Sequence, residues 1–382
     1  MKILVIGWYY DSNLGDGVIC ECTAAMLRRR YPHGQILLRD IACREAFRRS
    51  DRCTGKGIRA QRRRHLLRIA ATRLGWDKVL SRETYLLSRK QAGLEALAAE
   101  DWDMVVFAGG QLFMDGLGLY VQTLTESFAR RNIPVFFNAC GVGPSWSKII
   151  QARLGRALCL ENVKYLSCRD DVDRLNRWCG KPAAVPAADP ALWAAKVYGI
   201  RKSAGAETVG LGIMFANSLP PGRVLAFWRR LIRCLQRRGT PWKLFTNGAE
   251  ADMCFARELL RSLDLAEEAC LCPAPRTPEE LVQQTAGFGS IISFRLHSHI
   301  IAASLDIPSV ALEWDSKLPA FFEKLGRPER CLTIDTPPEG VLAALVRARL
   351  EGLDRHALEQ QRENAARQLF AAMDGIPQQD RE

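Results

Sequence analysis

The sequence predicts an α/β protein built from two alternating strand–helix units. Three observations carry this. Short apolar runs such as Ile3-Leu4-Val5-Ile6, Met104-Val105-Val106-Phe107 and Ile291-Ile292-Ser293-Phe294 read as strands buried on both faces, and stretches with helical spacing separate them. The 382 residues suggest two domains at roughly 150 residues each. Residues 196–208 lack a pattern and hold a Lys/Gly/Ser cluster, which marks a linker. The division is an N-terminal unit over 1–200 with a basic insert at about 44–90, a second unit over 205–350, and a C-terminal helix and tail over 351–382.

In order, residues 3–7 form the first strand. A turn-rich loop, Tyr9 to Gly17, feeds a helix to Arg30, with Asp16 as its cap. Residues 36–41 are a second strand. Helices are expected over 58–74 and 81–97. The strand at 103–107 ends in a loop, Ala108 to Asp115, whose Gly109 and Gly110 allow close backbone approach of a ligand. Helices over 117–131 and 147–160 flank a strand at 134–138. A strand at 165–168 delivers Arg169 and Asp170, the latter as cap of the next helix. In the second unit, strands fall at 209–216, 242–246, 291–294 and 309–312. Helices fall at 221–238, 250–263, 278–286, 300–305, 318–325, 338–350 and 356–373. Four strands of the first unit end in glycine or polar clusters, and together they argue for a cleft at one sheet edge.

The stretch from Ser290 to Lys317 concentrates the chemistry. Arg295, His297 and His299 follow one strand and Lys317 follows the next. Ligands of open α/β sheets sit at that edge, and fixed cations there suit a phosphorylated or carboxylated ligand. A histidine at a strand end is more often a hydrogen-bonded structural residue. The reading therefore rests on Arg295, His297 and Lys317 together.

The net charge of +12 is uneven: residues 28–90 hold nineteen Lys/Arg against five Asp/Glu. Such a segment favours an anionic partner, although a solvated arginine-rich face is the plainer account. Little aromatic interleaving and no nucleic-acid motif argue against nucleic acid. Met1-Lys2 leads straight into a strand, and no apolar run reaches the ~20 residues of a membrane span, so a cytoplasmic protein is expected. The thirteen cysteines are scattered and read as reduced, largely buried thiols. Cys270-Leu271-Cys272 has no second ligand pair, so no metal site is expected.

Taken in order, Asn13-Leu14-Gly15-Asp16, Gly109-Gly110 with Asp115, Gly141-Val142-Gly143-Pro144, Ser167-Cys168-Arg169-Asp170, Asp189-Pro190 and Arg295-Leu296-His297 with Pro308 and Lys317 resemble the polysaccharide pyruvyl transferase family. The likeness runs over about residues 3–330. Gln111 stands where the family usually has a third glycine, and Cys168 where it often has an aliphatic residue. The resemblance implies two Rossmann-like domains facing a cleft, similar to the GT-B glycosyltransferases. It implies transfer of the pyruvyl carbons of phosphoenolpyruvate to two hydroxyls of one sugar residue as a cyclic ketal, with no cofactor and no metal.

On that basis His297 is expected as general acid with a pKa near working pH. Arg169, Arg295 and Lys317, with His299 beside them, are expected to bind the donor. Asn13, Gly15, Asp16, Gly109, Gly110 and Asp115 are expected on the acceptor side, with Asp16 or Asp115 as base. In such a pathway the acceptor is a sugar carried by a polysaccharide or lipid-linked glycan, and residues 28–90 dock on an anionic membrane. Two other readings fit the same residues: a GT-B glycosyltransferase whose Arg295 and Lys317 hold the pyrophosphate of a nucleotide sugar, and a non-catalytic protein that binds a polyanion through its basic segment.

Overall fold

The computed structural model describes residues 1–47, 78–215 and 219–375. Within the first unit, β1 (Lys2–Gly7), β2 (Gln35–Asp40), β3 (Met104–Phe113), β4 (Val135–Val142), β5 (Val163–Cys168) and β6 (Val185–Pro186) pair in parallel in the order β2-β1-β3-β4-β5-β6. The second sheet joins β7 (Val209–Gly212), β8 (Trp242–Phe245), β9 (Ser290–Ser293), β10 (Ser309–Leu312) and β11 (Cys331–Leu332) in the order β11-β10-β9-β7-β8. Helices cover both faces, so β4, β7, β9 and β10 are buried throughout, which is why they read as continuous apolar runs. Chain order reverses between β1 and β3 in one sheet and between β7 and β9 in the other. Those switch points open crevices at the carboxyl ends of the strands, and the two crevices face each other.

An apolar core joins the sheets. Leu14, Val18 and Ile19 of the helix Leu14–Arg30 pack with Leu281, Ile291, Ile300 and Ile301 of the second unit. Each such buried side chain contributes about 1.5–3 kcal/mol. The helix Arg355–Asp374 crosses back to the first sheet, where Leu369 and Met373 pack with Ile3, Val5, Val106 and Phe136. Arg362 latches it, donating to the Leu192 carbonyl at 2.7 Å and the Ser304 carbonyl at 3.1 Å. The helix Pro338–Glu351 instead covers the second sheet through Val341, Leu342 and Leu345.

Several boundaries differ from the sequence expectation. The Gly109-Gly110 stretch is not a loop: β3 continues to Phe113, with an irregular register against β4 between Gly110 and Phe113. Helix Leu14–Arg30 starts before Asp16, which lies in its first turn, and Asn13 holds the cap position. Asp171 rather than Asp170 caps the helix Val172–Cys179, accepting from the Arg174 amide at 3.0 Å. The expected helix 81–97 is two, Lys78–Ser88 and Gln91–Ala99, parted by a turn closed from the Lys90 amide to the Leu87 carbonyl. The helix expected from Ile300 starts at Leu296, so His297 and His299 stand in its first turn. The helix expected over 58–74 lies outside the described residues. Among the described residues, no helix is long and apolar enough to cross a membrane.

Candidate active site at the interdomain cleft

β9 ends at Ser293, and the chain turns through Arg295 into the helix Leu296–Ser304. The Arg295 amide donates to Ser293 Oγ at 2.9 Å. Gly212 leaves that hydroxyl its room, since a Cβ there would lie 2.1 Å from it. Arg295 Nε and Nη2 donate to Asp252 Oδ2 at 2.8 and 2.5 Å, and the Phe215 amide donates to Asp252 Oδ1 at 2.9 Å. Asp252 is fully buried. The guanidinium is therefore held by the edge that carries Nε and Nη2.

His297 projects from the first turn toward the first unit. Its Nε2 lies 3.0 Å from Arg169 Nη1 and 4.0 Å from Asp16 Oδ1. A guanidinium N–H only donates, so Nε2 accepts and the ring proton sits on Nδ1. The ring rests directly on Gly15: a Cβ there would fall 2.1 Å from Nδ1 and 2.5 Å from the His297 Cβ. Asn13 Nδ2 donates to Asp16 Oδ2 at 3.2 Å. Gly110, at φ +102°, brings its backbone against Asp16 Oδ1. The Leu14 amide donates to the Asn247 carbonyl at 2.9 Å, fixing this helix start to the second unit.

Arg169 follows β5 and is buried. Its Nη1 is bonded to Asp189, and its Nε lies 4.0 Å from Asp170 Oδ2. Both of those latter atoms are buried without a hydrogen-bond partner among the described residues. Lys324 Nζ donates to the Arg169 carbonyl at 2.6 Å. Lys317 begins the helix Lys317–Lys324, and its Nζ stands 4.0 Å from Asp315.

These groups shift one another. Burial, aided by the Asp11 and Asp189 charges and opposed by Arg169 and Arg295, pushes the Asp16 carboxyl up to about 7. Burial first, then Arg169, Arg295 and Lys317, hold His297 well below the usual imidazole range. Burial also lowers Lys317, against the pull of Asp170 and Asp315. Arg169 stays firmly charged, because Asp189, Asp170 and Asp16 outweigh its burial. The expectation of a His297 pKa near working pH is thus corrected: burial and the neighbouring cations hold it lower. Here Asp16, not His297, titrates near neutrality.

Arg169, Arg295, His297, Lys317, Asp16 and Asn13 converge on the cleft, and three other expected residues do other work. His299 is fully buried, its Nε2 donates to the Ser293 carbonyl at 3.0 Å, and its ring stands edge-on to Phe322. Burial takes its pKa down to about 4. Asp115 is buried and committed to a loop: it accepts from Ser145 Oγ and the Trp146 amide, both at 2.7 Å. Gly109 serves packing, since a Cβ would lie 2.8 Å from the Ala139 carbonyl oxygen and 2.9 Å from Ile19. The sequence reading left out the partners that aim the cations. Asp189 sat within a quoted motif and Asp252 in the helix Glu250–Arg261, but no local signal paired them with Arg169 and Arg295. Nothing in the sequence pointed to Lys324.

The structure is similar to solved enzymes of the GT-B fold. A putative UDP-N-acetylglucosamine 2-epimerase from Listeria monocytogenes aligns at TM-score 0.60 and 11% identity, covering 100% of this chain and 98% of that one. UDP-GlcNAc 2-epimerase from Neisseria meningitidis, bound to UDP-GlcNAc, aligns at 0.54 and 9%, covering 98% and 100%. The Methanocaldococcus jannaschii UDP-GlcNAc 2-epimerase, in complex with UDP-GlcNAc and UDP, aligns at 0.54 and 10%, covering 91% and 92%. At these identities the likeness establishes the architecture alone: two parallel-sheet domains of GT-B type. Compared sequence to sequence, the chain matches no curated protein. The model of one family matches residues 13–316, a span that includes Asn13, Asp16, Arg169, Arg295 and His297 and stops one residue short of Lys317. The chain belongs to the polysaccharide pyruvyl transferase family.

Proposed function

We propose that the chain transfers the pyruvyl carbons of phosphoenolpyruvate to two hydroxyls of one sugar residue, in a polysaccharide or lipid-linked glycan, forming a cyclic ketal and releasing phosphate. The observation that carries this is the convergence of Arg169, Arg295 and Lys317 around a neutral His297, with Asp16 4.0 Å from its Nε2. Three cations suit a small ligand that bears both phosphate and carboxylate.

Donor binding reverses these electrostatics. The donor's negative charges offset the cations that hold His297 unprotonated, so the imidazole takes up a proton. His297 then gives that proton to the methylene carbon, which becomes the methyl group. The neighbouring carbon turns electrophilic and is attacked by the first sugar hydroxyl, whose proton passes to Asp16. Phosphate leaves with its C–O bond electrons, stabilised by Arg169 and Lys317. The second hydroxyl closes the ketal and loses its proton to the departing phosphate. Asp16, with its pKa near neutrality, is matched to the base role. No cofactor takes part in this scheme. A lipid-linked acceptor is a sugar held at the cytoplasmic membrane face, and residues 28–90 supply cations for peripheral contact with anionic lipid there.

A thermal-shift titration with phosphoenolpyruvate, run beside UDP- and GDP-sugars, tests the donor. A ligand at a hundred times its Kd stabilises by about 2.7 kcal/mol. The shift is expected with phosphoenolpyruvate and is expected to vanish in Lys317→Met. A shift with nucleotide sugars alone would transfer the site to glycosyl transfer.

A further inference from the structure

We propose that the outer face of the helix Pro221–Arg237 holds a second anion site, which binds a ligand through two joined phosphoryl groups. Arg223, Arg229, Arg230 and Arg233 line a cavity of about 460 Å³ there. The opposite face of the helix, with Val224, Phe227, Trp228, Leu231 and Leu235, is buried in the core of the second unit and fixes it. The far wall is Ile334 and Asp335, which follow β11 in a turn closed from the Thr336 amide to the Thr333 carbonyl at 3.1 Å. The cations therefore face a built concavity rather than a bare helix surface. None of the cleft residues lines it, and the site does not depend on the pyruvyl chemistry.

The carboxylates around this cavity do not neutralise it. The helix itself has five arginines and no Asp or Glu. Its ion pairs are Arg223 with Asp335 and, beyond the cavity, Arg237 with Glu339 at 3.7 Å. Arg229, Arg230 and Arg233 are left unpaired among the described residues. The helices packed beside it carry further acids. Asp252 is bonded to Arg295 and Glu351 lies 3.3 Å from Arg330, and neither these nor Glu250, Glu258 and Glu339 line the cavity. Arg233 stands four residues from Arg229 and three from Arg230, spacings at which like charges destabilise a helix. Arg229 is half-buried, and its Nε is buried with no hydrogen-bond partner among the described residues. Buried donors are rarely left so. An anion on these guanidinium groups relieves the repulsion and gives Arg229 a partner.

The arrangement selects the ligand. Each arginine fork matches two phosphate oxygens at once. Arg229 and Arg230 sit one helical turn before Arg233, a rise of about 5.4 Å. Two joined phosphoryl groups can each take a guanidinium, whereas a single phosphate engages one turn alone. The other lining side chain of the helix is Ala226, and no aromatic ring lines the cavity. A nucleobase has nothing to stack on, so the diphosphate itself is what the site recognises.

The test is calorimetric titration of the full chain with inorganic pyrophosphate, beside orthophosphate, in about 0.15 M salt. The wild type is expected to bind pyrophosphate about tenfold more tightly than orthophosphate. Arg229→Gln/Arg233→Gln is expected to weaken pyrophosphate binding about tenfold. Arg156→Gln/Arg177→Gln removes the same charge from the first unit, and Lys317→Met removes a cleft cation; both are expected to leave this binding event in place. Circular dichroism reports the fold of each variant. Phosphatidylcholine vesicles carrying farnesyl diphosphate separate the sources: co-sedimentation lost in Arg229→Gln/Arg233→Gln assigns a lipid-borne diphosphate to the site, and pyrophosphate binding without co-sedimentation assigns a soluble one. Equal affinity for pyrophosphate and orthophosphate overturns the proposal, as does a wild type that binds neither. Binding lost in Lys317→Met and kept in Arg229→Gln/Arg233→Gln also overturns it, by moving the pyrophosphate into the cleft.

Discussion

Gly15→Ala tests the site most sharply, because it adds one methyl group at the point where the two units touch. The helix Leu14–Arg30 would welcome alanine by propensity, by up to about 1 kcal/mol. The new Cβ, however, would stand 2.1, 2.4 and 2.5 Å from Nδ1, Cγ and Cβ of His297. Ordinary contact begins near 3.4 Å, so the ring has to retreat by about 1.3 Å. His297 is 6% exposed and its helix turn is buried, so the retreat is into packed side chains. Overpacking of this kind costs about 1–3 kcal/mol. A comparable displacement also breaks the 3.0 Å approach of Nε2 to Arg169. A misplacement of about 1 Å costs on the order of a hundredfold in rate. The assay is phosphate release from phosphoenolpyruvate with acceptor, beside the melting temperature. Gly222→Ala is the control, since nothing lies within 4 Å of its added Cβ. The expected result is a hundredfold loss with a lowered melting temperature for Gly15→Ala and neither for Gly222→Ala. A Gly15→Ala protein with wild-type turnover and melting temperature would refute the contact and the role of His297 built on it.

Three further outcomes follow from the same charges. In the folded protein Asp16 binds protons more tightly than in the unfolded chain, so it costs stability as pH rises from about 4 through about 7. Asp16→Asn is therefore expected to melt higher than wild type at pH 8, by an amount on the order of 1–4 kcal/mol, and close to it at pH 5; equal melting at both values would show Asp16 to be solvated. Phosphoenolpyruvate binding at pH 7 is expected to take up a proton, seen by calorimetry in buffers of different ionisation enthalpy and lost in His297→Gln; a heat independent of buffer in the wild type sinks the charge-reversal argument. Arg295→Leu strands the buried Asp252 and is expected to cost about 3–5 kcal/mol. Adding Asp252→Asn is expected to recover much of that stability while the phosphoenolpyruvate shift stays lost, and a restored shift would take Arg295 out of donor binding.

The sequence by itself determined the elements and the strand edge on which they gather their reactive side chains. The helix Pro278–Ala286 and the strand Ser309–Leu312 fall where they were expected, because a proline at the first turn and a wholly apolar run are local signals. The same holds for the order of small-residue motifs that carries the family. Boundaries failed where a backbone bond from another strand decided them, as when β4 keeps β3 extended through Gly110 to Phe113. The site needed more than local signals. Asp115 and Asp16 are both aspartates at the starts of helices that follow strands, and only the fold gives one to the Trp146 loop and the other to the cleft. His297 and His299 are one residue apart, yet one meets Arg169 and the other faces Phe322. Gly15 is required by a ring from the far domain rather than by its own φ. Burial and neighbouring charge set which group holds a proton. Both are fixed by what packs across the cleft, and for that reason the tertiary structure alone moved the titration near neutrality from His297 to Asp16.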